Sequence, residues 1–589
     1  MKGNYLITNT LVSHEIDNLL LLKTVGNYHI YANPKMVCHE LDDLIILIHG
    51  YVLPRNEYFH QYKSLPQPEL VKRLYDNFES KFVNYIKGIY TIIIVCNDSI
   101  DIYTDHFGLQ SFYIYKHNRV DAISDSINLF GHIGHKALPD INSIAVKSIL
   151  HRVPSPYSIY ENVMRSNPAT HLTISEIGIK SKRYWKPECL LDFKESGSET
   201  LHITDFVALI KENFNNFLIY TKPAHHAITL TGGKDSRTGL ASLKSLGISP
   251  HGFTYGNPFS SDAVFAGKLA KETSTPHHIF SPTNDEGWIN SISKEICDFG
   301  NPDISFHRAH RLYAFKEMTA LFSGVAGYYA GYMAGEFLMG PYYDDLIFTR
   351  SLTDFWDSSV KSSSQPLLDS YFHKFDKVNF EVIISRLDKL RSFDSTLPIK
   401  KRQFYGLFEI GIPHHGQDIF LAGNYFDYVY PFFIDIDFLE ILFKSRFCFL
   451  YNDNKSISLL KRYELYEFNL KIQHLLMPEM DTVPFGKRGS YNTKEFLKGK
   501  FYWTALRTLR YLTQQRKYPA TYKYNETYRN YICEYLKELN AQKGHLLHEY
   551  FDIPKAISSL HTINHDTGEG VMHRFSNIVM LYLQIKRFE

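Results

Sequence analysis

Residues 229–236 read Thr-Leu-Thr-Gly-Gly-Lys-Asp-Ser, and this stretch decides how the larger part of the chain folds. An apolar run through Ala227, Ile228 and Leu230 stops at the Gly-Gly pair, and Asp235 and Ser236 then open a helical pattern through Leu240 and Leu246. A glycine loop at a helix start lets backbone approach a ligand closely and turns several N–H groups toward an anion. Asp235 would repel a bare phosphate, so the stretch asks for a divalent cation between the two. It is not a Walker loop, because G-x-x-x-x-G-K-[S/T] is missing. The plainer reading of the same glycines is a tight strand-to-helix turn.

Working outward, the expected order is strand 226–231, helix 236–246, strand 251–255, helix 261–274 and strand 277–280. Brief buried strands alternating with helical periodicity argue for a parallel sheet with helices on both faces. Ligands of such sheets sit beyond the C-terminal ends of the strands, where the Gly-Gly loop falls. Residues 1–187 instead look β-rich, with apolar runs such as 43–48 and 90–96 separated by turn-forming residues. A polar stretch over 186–200 reads as the connection, giving units 1–187 and 201–589 joined by a linker 188–200. Beyond Lys400 the pattern is mainly helical. The expected fold class is α+β followed by α/β: a β-rich sandwich, then a doubly wound parallel sheet with a helical C-terminal region.

The bulk composition narrows the classes. A chain of 589 residues is too long for one core. Its 44% hydrophobic and 21% charged residues are those of an ordinary globular protein. A formal charge of +2 gives no case for wholesale nucleic-acid binding. The six cysteines are scattered without a C-x-x-C pair, which favours reduced thiols and a cytoplasmic location. Apolar runs fall far short of a bilayer span, and residues 1–20 lack a secretory pattern. Neither a membrane nor a nucleic-acid partner is expected.

The loop resembles the pyrophosphate-binding S-G-G-x-D-S of the ATP pyrophosphatase superfamily, with Thr231 in the first serine position. That resemblance implies ATP cleaved between its α and β phosphates to adenylate a substrate. Gly88-Ile89-Tyr90, Asp105-His106-Phe107-Gly108-Leu109-Gln110 with Tyr113, and Tyr184-Trp185 resemble motifs of an N-terminal amidohydrolase-type domain. Ser261-Asp262, Thr275, His277-His278, Pro431 to Asp435 and Pro484 to Gly489 resemble later motifs of the asparagine synthetase family. Together they imply an Ntn-hydrolase-like domain ahead of an ATP-dependent synthetase domain. Two departures matter. Glutamine-using members carry a cysteine at position 2; here position 2 is Lys2, and no cysteine lies among the first thirty-seven residues. This implies no ammonia from glutamine, as in β-lactam synthetases and lasso-peptide cyclases. The family's S-G-x-G-[AS]-D-E is matched by Ser323 to Tyr329, with an aromatic where the aspartate belongs.

The resemblance implies these roles. Backbone N–H groups of Gly232, Gly233 and Lys234, with the Thr231 and Ser236 hydroxyls, hold the leaving diphosphate, and Gly324 joins the nucleotide contacts. Leu230 and the strand segment containing Tyr255 face the adenine. Asp235 binds Mg2+, and Glu336, in Ala334-Gly335-Glu336-Phe337, supplies the second carboxylate; otherwise it is a helix-start glutamate favoured by the dipole. Lys487 stabilises the reacting phosphate, with Arg488 as its rival, against the plain reading of a solvated basic turn. Asp262 serves the metal network or caps helix 261–274. Glu409 is a candidate base. The histidine pairs 225–226, 277–278 and 414–415 offer one ligand per face and argue little for zinc. Lys500, Arg507, Arg510, Arg516 and Lys517 form an RNA or partner surface or, more simply, a solvated face.

The expected activity is an ATP-dependent amide ligase forming AMP and pyrophosphate, with ATP and Mg2+ as cofactors. Its partner is a small-molecule or peptide carboxylate, including a precursor peptide or a maturation protein, and macrolactam or lactam formation suits the missing cysteine. Ammonia-dependent amidation of a sugar acid or amino acid stays open, as does an inactive nucleotide-binding scaffold.

Overall fold

The computed structural model describes every residue except 1–3, 13–15, 17, 35, 42–43, 151, 192–200, 283–286, 305, 341–379, 452–458, 486–490, 514–517, 520–524, 563–568 and 589. The first unit is built on two six-stranded sheets whose strand pairs are all antiparallel. Its longest pair, Leu44–Pro54 against Ile86–Val95, runs in register from Ile45 opposite Val95 to Pro54 opposite Ile86. These strands read as unbroken apolar runs because both faces are covered. Leu47 and Ile93 pack toward Tyr5, Ile7 and Ile30 of the other sheet and Phe112 just ahead of its strand Tyr113–His117. Ile46, Ile48, Ile92 and Ile94 lie under Leu70, Val71 and Leu74 of helix Gln67–Phe78. Each such side chain contributes about 1.5–3 kcal/mol of burial free energy.

The second unit carries a five-stranded parallel sheet in the order His277–Phe280, His251–Tyr255, His225–Thr229, Ala326–Tyr329, Tyr428–Tyr430. The chain steps outward from His225–Thr229 through two strands, then returns to lay Ala326–Tyr329 on the other side of the strand it started from. The order therefore reverses between His225–Thr229 and Ala326–Tyr329, and sheets of this kind form their ligand crevice beyond the C-terminal ends of the strands at such a reversal. Helices Asp235–Ser245 and Ser261–Glu272 follow the first two strands, close to the sequence-expected spans. From Ile399 onward the described elements are helical apart from Tyr428–Tyr430.

The two units share one continuous apolar core. Tyr51 of the first sheet packs edge-on to Phe217 and Tyr428, and its hydroxyl donates to the Val429 carbonyl at 3.0 Å. Lys87 lies fully buried between Asp435 and Asp437, at 3.0 and 2.8 Å. Arg55 adds a 2.7 Å bond to Asp437. Asp435 also caps helix Ile436–Leu442 through the N–H groups of Asp437 and Phe438. The C-terminal helix Glu569–Phe588 turns back to the first unit, where Gln584 accepts from the Tyr160 hydroxyl and Phe588 meets His135. Sequence reading assigned that helix to the second unit alone.

Candidate functional site: the crevice at the strand-order reversal

Strand His225–Thr229 ends because Leu230 and Thr231 are followed by two glycines that must lie close to neighbours. A Cβ on Gly232 would sit 3.2 Å from the Phe265 ring, and one on Gly233 would sit 3.0 Å from Thr231 Oγ1. The Gly233 N–H donates to Thr231 Oγ1 at 3.0 Å, and the Gly232 N–H donates to Asp262 Oδ1 at 3.1 Å. Asp262 is thus no cap: Ser260 caps Ser261–Glu272 through the Ala263 N–H, and Asp262 reaches across to the loop. Thr231 and Ser236 hydroxyl oxygens lie 3.3 Å apart, closing the turn. Two of the N–H groups expected to face phosphate are therefore already engaged, one by the loop's Thr231 and one by Asp262 of the next helix.

Asp235 opens helix Asp235–Ser245, half-buried at the mouth of the crevice. Burial pushes its carboxyl up to about 6, the Glu336 charge adds to this, and Lys234, the Gly335 N–H and His415 oppose it. Asn469 Nδ2 lies 3.3 Å from Asp235 Oδ1. The adjoining turn, 330–333, links strand Ala326–Tyr329 to the short helix Ala334–Met339. A Cβ on Gly331 would sit 3.1 Å from the Asp235 backbone, and Met333 is forced into the left-handed region at φ 74°. Glu336 stands on this helix 3.7 Å from His415 Nε2. Burial alone would push the Glu336 carboxyl up, but the hydrogen bond and charge of His415 outweigh it and hold it below its ordinary value. Tyr332 stacks on His415 at 5.2 Å.

The match over Ser323 to Tyr329 is corrected by this register. Ala326–Tyr329 is strand, and Gly324 precedes it, at the edge of the sheet opposite the loop. Gly324 is thus not brought to the crevice beside Asp235. Tyr328 is buried in the sheet with its hydroxyl 2.8 Å from Thr229 Oγ1. The turn facing Asp235 is instead 330–336, which ends on Glu336.

Two cations lie nearby, Lys234 beside Asp235 and Arg507 within reach of Lys234. Lys234 Nζ lies 4.0 Å from the Tyr466 ring centre, and the Arg507 guanidinium stacks over Tyr466, Tyr491 and Trp503 at 5.8, 5.6 and 5.1 Å. Burial pulls Lys234 down to about 8, with Arg507 and Arg237 adding to this and Asp235 opposing. Sequence reading left Arg507 on a solvated tail; the fold turns it inward. Gln473 Nε2 donates to the Lys234 carbonyl at 2.8 Å and fixes the loop's exit. Arg237 donates to the Val483 carbonyl at 3.0 Å and to the Pro484 carbonyl, tying the segment ahead of Lys487 to this helix. Lys487 and Arg488 lie outside the described residues.

Other expected contacts are placed as follows. The Leu230 N–H donates to Phe253 O at 2.8 Å, and the Leu230 carbonyl accepts from Thr254 Oγ1 at 2.7 Å, so its backbone is committed largely to the sheet. Tyr255, at the end of the neighbouring strand, faces Arg311 at 5.9 Å. Arg308 and Arg311 both pair with the buried Asp418 and hold its carboxyl below the ordinary range, outweighing burial. Glu409 does not face the crevice; its two oxygens accept the N–H groups of Arg391 and Ser392, each at 3.0 Å. Of the paired histidines, only His415 approaches Asp235 and Glu336. Among the described residues no group of three or more His, Cys, Asp or Glu side chains forms a metal centre. The donor set suits a hard cation that takes one or two carboxylates and completes its shell with phosphate oxygens and water.

A polar cavity of about 190 Å³ lies between the units, with Asn4, His49, Gln110 and Asp125 of the first and Asp298 and Asn424 of the second in its wall. His49 Nδ1 lies 3.2 Å from Asp125 and 3.1 Å from Gln110. Residues 48–185 match the glutamine amidotransferase domain family, and the match ends on Trp185. Over residues 48–185 the first unit is therefore similar to a glutamine amidotransferase domain. No curated protein matches the chain. Among solved structures it is similar to glutamine phosphoribosylpyrophosphate amidotransferase from B. subtilis complexed with ADP and GMP, at 12% identity and a TM-score of 0.21. That match covers 47% of this chain and 59% of the other. A structure described as the allosteric regulatory enzyme of purine biosynthesis gives the same figures. The chain thus spans little more than half the length of either structure. No described helix is long and apolar enough to cross a membrane.

Proposed function

We propose that the protein is an ATP-dependent amide ligase that adenylates a carboxylate and joins it to an amine, releasing AMP and pyrophosphate. The observation that carries this reading is the position of the Thr231–Ser236 loop. It closes the strand at which the sheet order reverses, with Glu336, His415 and Lys234 acting on Asp235 and Arg507 acting on Lys234. Carboxylates and cations gathered at one place suit a nucleoside triphosphate with its magnesium, because positioning and charge neutralisation supply most of such catalysis. Asp235 and Glu336 would hold the cation, which when bound neutralises phosphate charge. Ser236, the Lys234 ammonium and the remaining loop N–H groups would bind phosphate oxygens.

The amine comes with the substrate or as free ammonia. In this reading the first unit serves as a platform for the substrate. Ring closure within a peptide or specialised metabolite fits that arrangement, and ammonia-dependent amidation of a sugar acid or amino acid is the neighbouring form of the same chemistry. The decisive experiment incubates the protein with ATP, magnesium and a panel of amino acids, sugar acids and peptides. AMP with pyrophosphate supports the reading, and ADP with phosphate sinks it. A second reading, a nucleotide-binding scaffold, is favoured by the engagement of the Gly232 and Gly233 N–H groups with Asp262 and Thr231. It requires tight nucleotide binding with no turnover of any substrate.

A further inference from the structure

A second cavity, of about 340 Å³, lies where the units meet, and the nucleotide reading makes no use of it. Its floor comes from the first unit through the turn at His106 and Phe107 and the segment 183–188. Its roof comes from the second through residues 389–391 and 405–413. Pockets of this size bind drug-sized molecules when apolar walls carry a few convergent polar groups. The walls are aromatic: Trp185 stands edge-on to Phe107 at 5.7 Å, and Phe408 lies 6.2 Å from Trp185. Phe408 and Glu409 project from a π-helical turn, Leu407–Gly411, a geometry found often at functional sites.

The charges around the cavity are unequal. Arg152, Arg183, Lys186, Lys389 and Arg391 line it, against Glu188 and Glu409. Glu188 sits 3.6 Å from Arg391, and Glu409 spends both oxygens on backbone N–H groups. Burial pushes Glu409 above its ordinary value, against the lowering by those donors. Arg183 and Lys389 bond neutral acceptors, the Pro168 carbonyl at 3.1 Å and the Tyr157 hydroxyl at 2.7 Å. His106 is pulled down to about 3, chiefly by burial and further by Arg55, so it stays neutral at ordinary pH. A phosphate dianion would lose hydration against the aromatic faces, whereas a carboxylate on an apolar body matches both wall types.

We propose that this cavity binds a small monocarboxylate with an aromatic or branched apolar body, its carboxylate toward Arg183 and Lys389 and its body against Phe107, Trp185 and Phe408. The site stands apart from the nucleotide crevice, although Ile412 and Pro413 in its roof belong to the helix that carries His415.

Calorimetric titration of the full chain, without nucleotide, compares 3-phenylpropionate with its neutral amide. The carboxylate is expected to bind at least about tenfold more tightly, the worth of one charge-assisted bond. Arg183→Gln should bring the carboxylate down to the level of the amide. Ile412→Trp, which fills the cavity from its roof, should abolish binding of both, with folding checked by circular dichroism. If Arg183→Gln does not fold, Lys389→Gln takes its place with the same expected loss. Equal binding of acid and amide, no heat with millimolar carboxylate, or binding that survives Ile412→Trp would each overturn the proposal. ATP plays no part in the titration, so failure of the ligase reading leaves its outcome unaffected.

Discussion

Glu336 Oε1 lies 3.7 Å from His415 Nε2, and this contact keeps a second carboxylate ionised beside Asp235. The two acids therefore behave differently: one is held below its ordinary value, the other is pushed up to about 6. A cation entering the crevice would meet one ready charge and one that must first lose its proton.

Binding of a non-cleavable ATP analogue with magnesium should accordingly depend on pH at both ends. Asp235 must be deprotonated to meet the cation, so affinity should fall by up to about tenfold per unit as pH drops below 6. Lys234 must be protonated to meet phosphate, so affinity should fall again above about 8. Titrations from acid to alkaline pH should give a bell. A flat profile would separate these two groups from nucleotide binding.

Asp235→Asn should stabilise the ligand-free protein near neutral pH while it removes magnesium-dependent nucleotide binding. The sign follows from linkage: a folded value raised above the unfolded one gives stability that is complete at low pH and lost as pH rises through about 6. The full shift corresponds to about 3 kcal/mol, and partial exposure to solvent reduces it to roughly 1–2 kcal/mol. Melting curves of wild type and variant should converge near pH 4 and separate near pH 7.5.

Glu336→Gln should weaken magnesium in the nucleotide complex by tenfold or more, about 1.4 kcal/mol, with nucleotide binding in chelator unchanged. Magnesium titration at fixed nucleotide measures this. An unchanged magnesium midpoint would reduce Glu336 to a partner of His415.

Tyr466→Leu removes the ring beneath the Lys234 ammonium and part of the stack around Arg507. Analogue affinity should fall roughly 3- to 10-fold, the usual worth of a partly desolvated cation–π contact. Tyr466→Phe keeps the ring and should bind like wild type.

Lys87→Met leaves Asp435 and Asp437 buried beside each other without their shared cation. About 3–5 kcal/mol of stability should be lost, read as a lower urea midpoint. A wild-type midpoint would mean that the junction relaxes to admit water.

The loop 231–236 was legible in the sequence because every residue that shapes it is contiguous: an apolar strand, two glycines and a helix start are neighbours along the chain. The same holds for the strand and helix order through His277–Phe280 and for the antiparallel runs before residue 187, where local periodicity reports which faces are covered. Glu336 was within reach for the same reason, since Ala-Gly-Glu marks a short helix start. Motif matching placed the opposing turn at Ser323 to Tyr329, whereas pairing of Ala326–Tyr329 with His225 to Ile228 makes that stretch strand and moves the turn to 330–336. Strand register depends on a partner about a hundred residues away, and no local pattern encodes it. Asp262 bonding Gly232, Arg507 turning toward Lys234, Glu409 binding backbone far from the crevice, and Lys87 sharing Asp435 and Asp437 are likewise long-range choices. By itself the sequence determined the local elements and the chemistry of the loop. Only tertiary structure decided which distant charges meet there, because desolvation and opposite charge select partners by closeness in space.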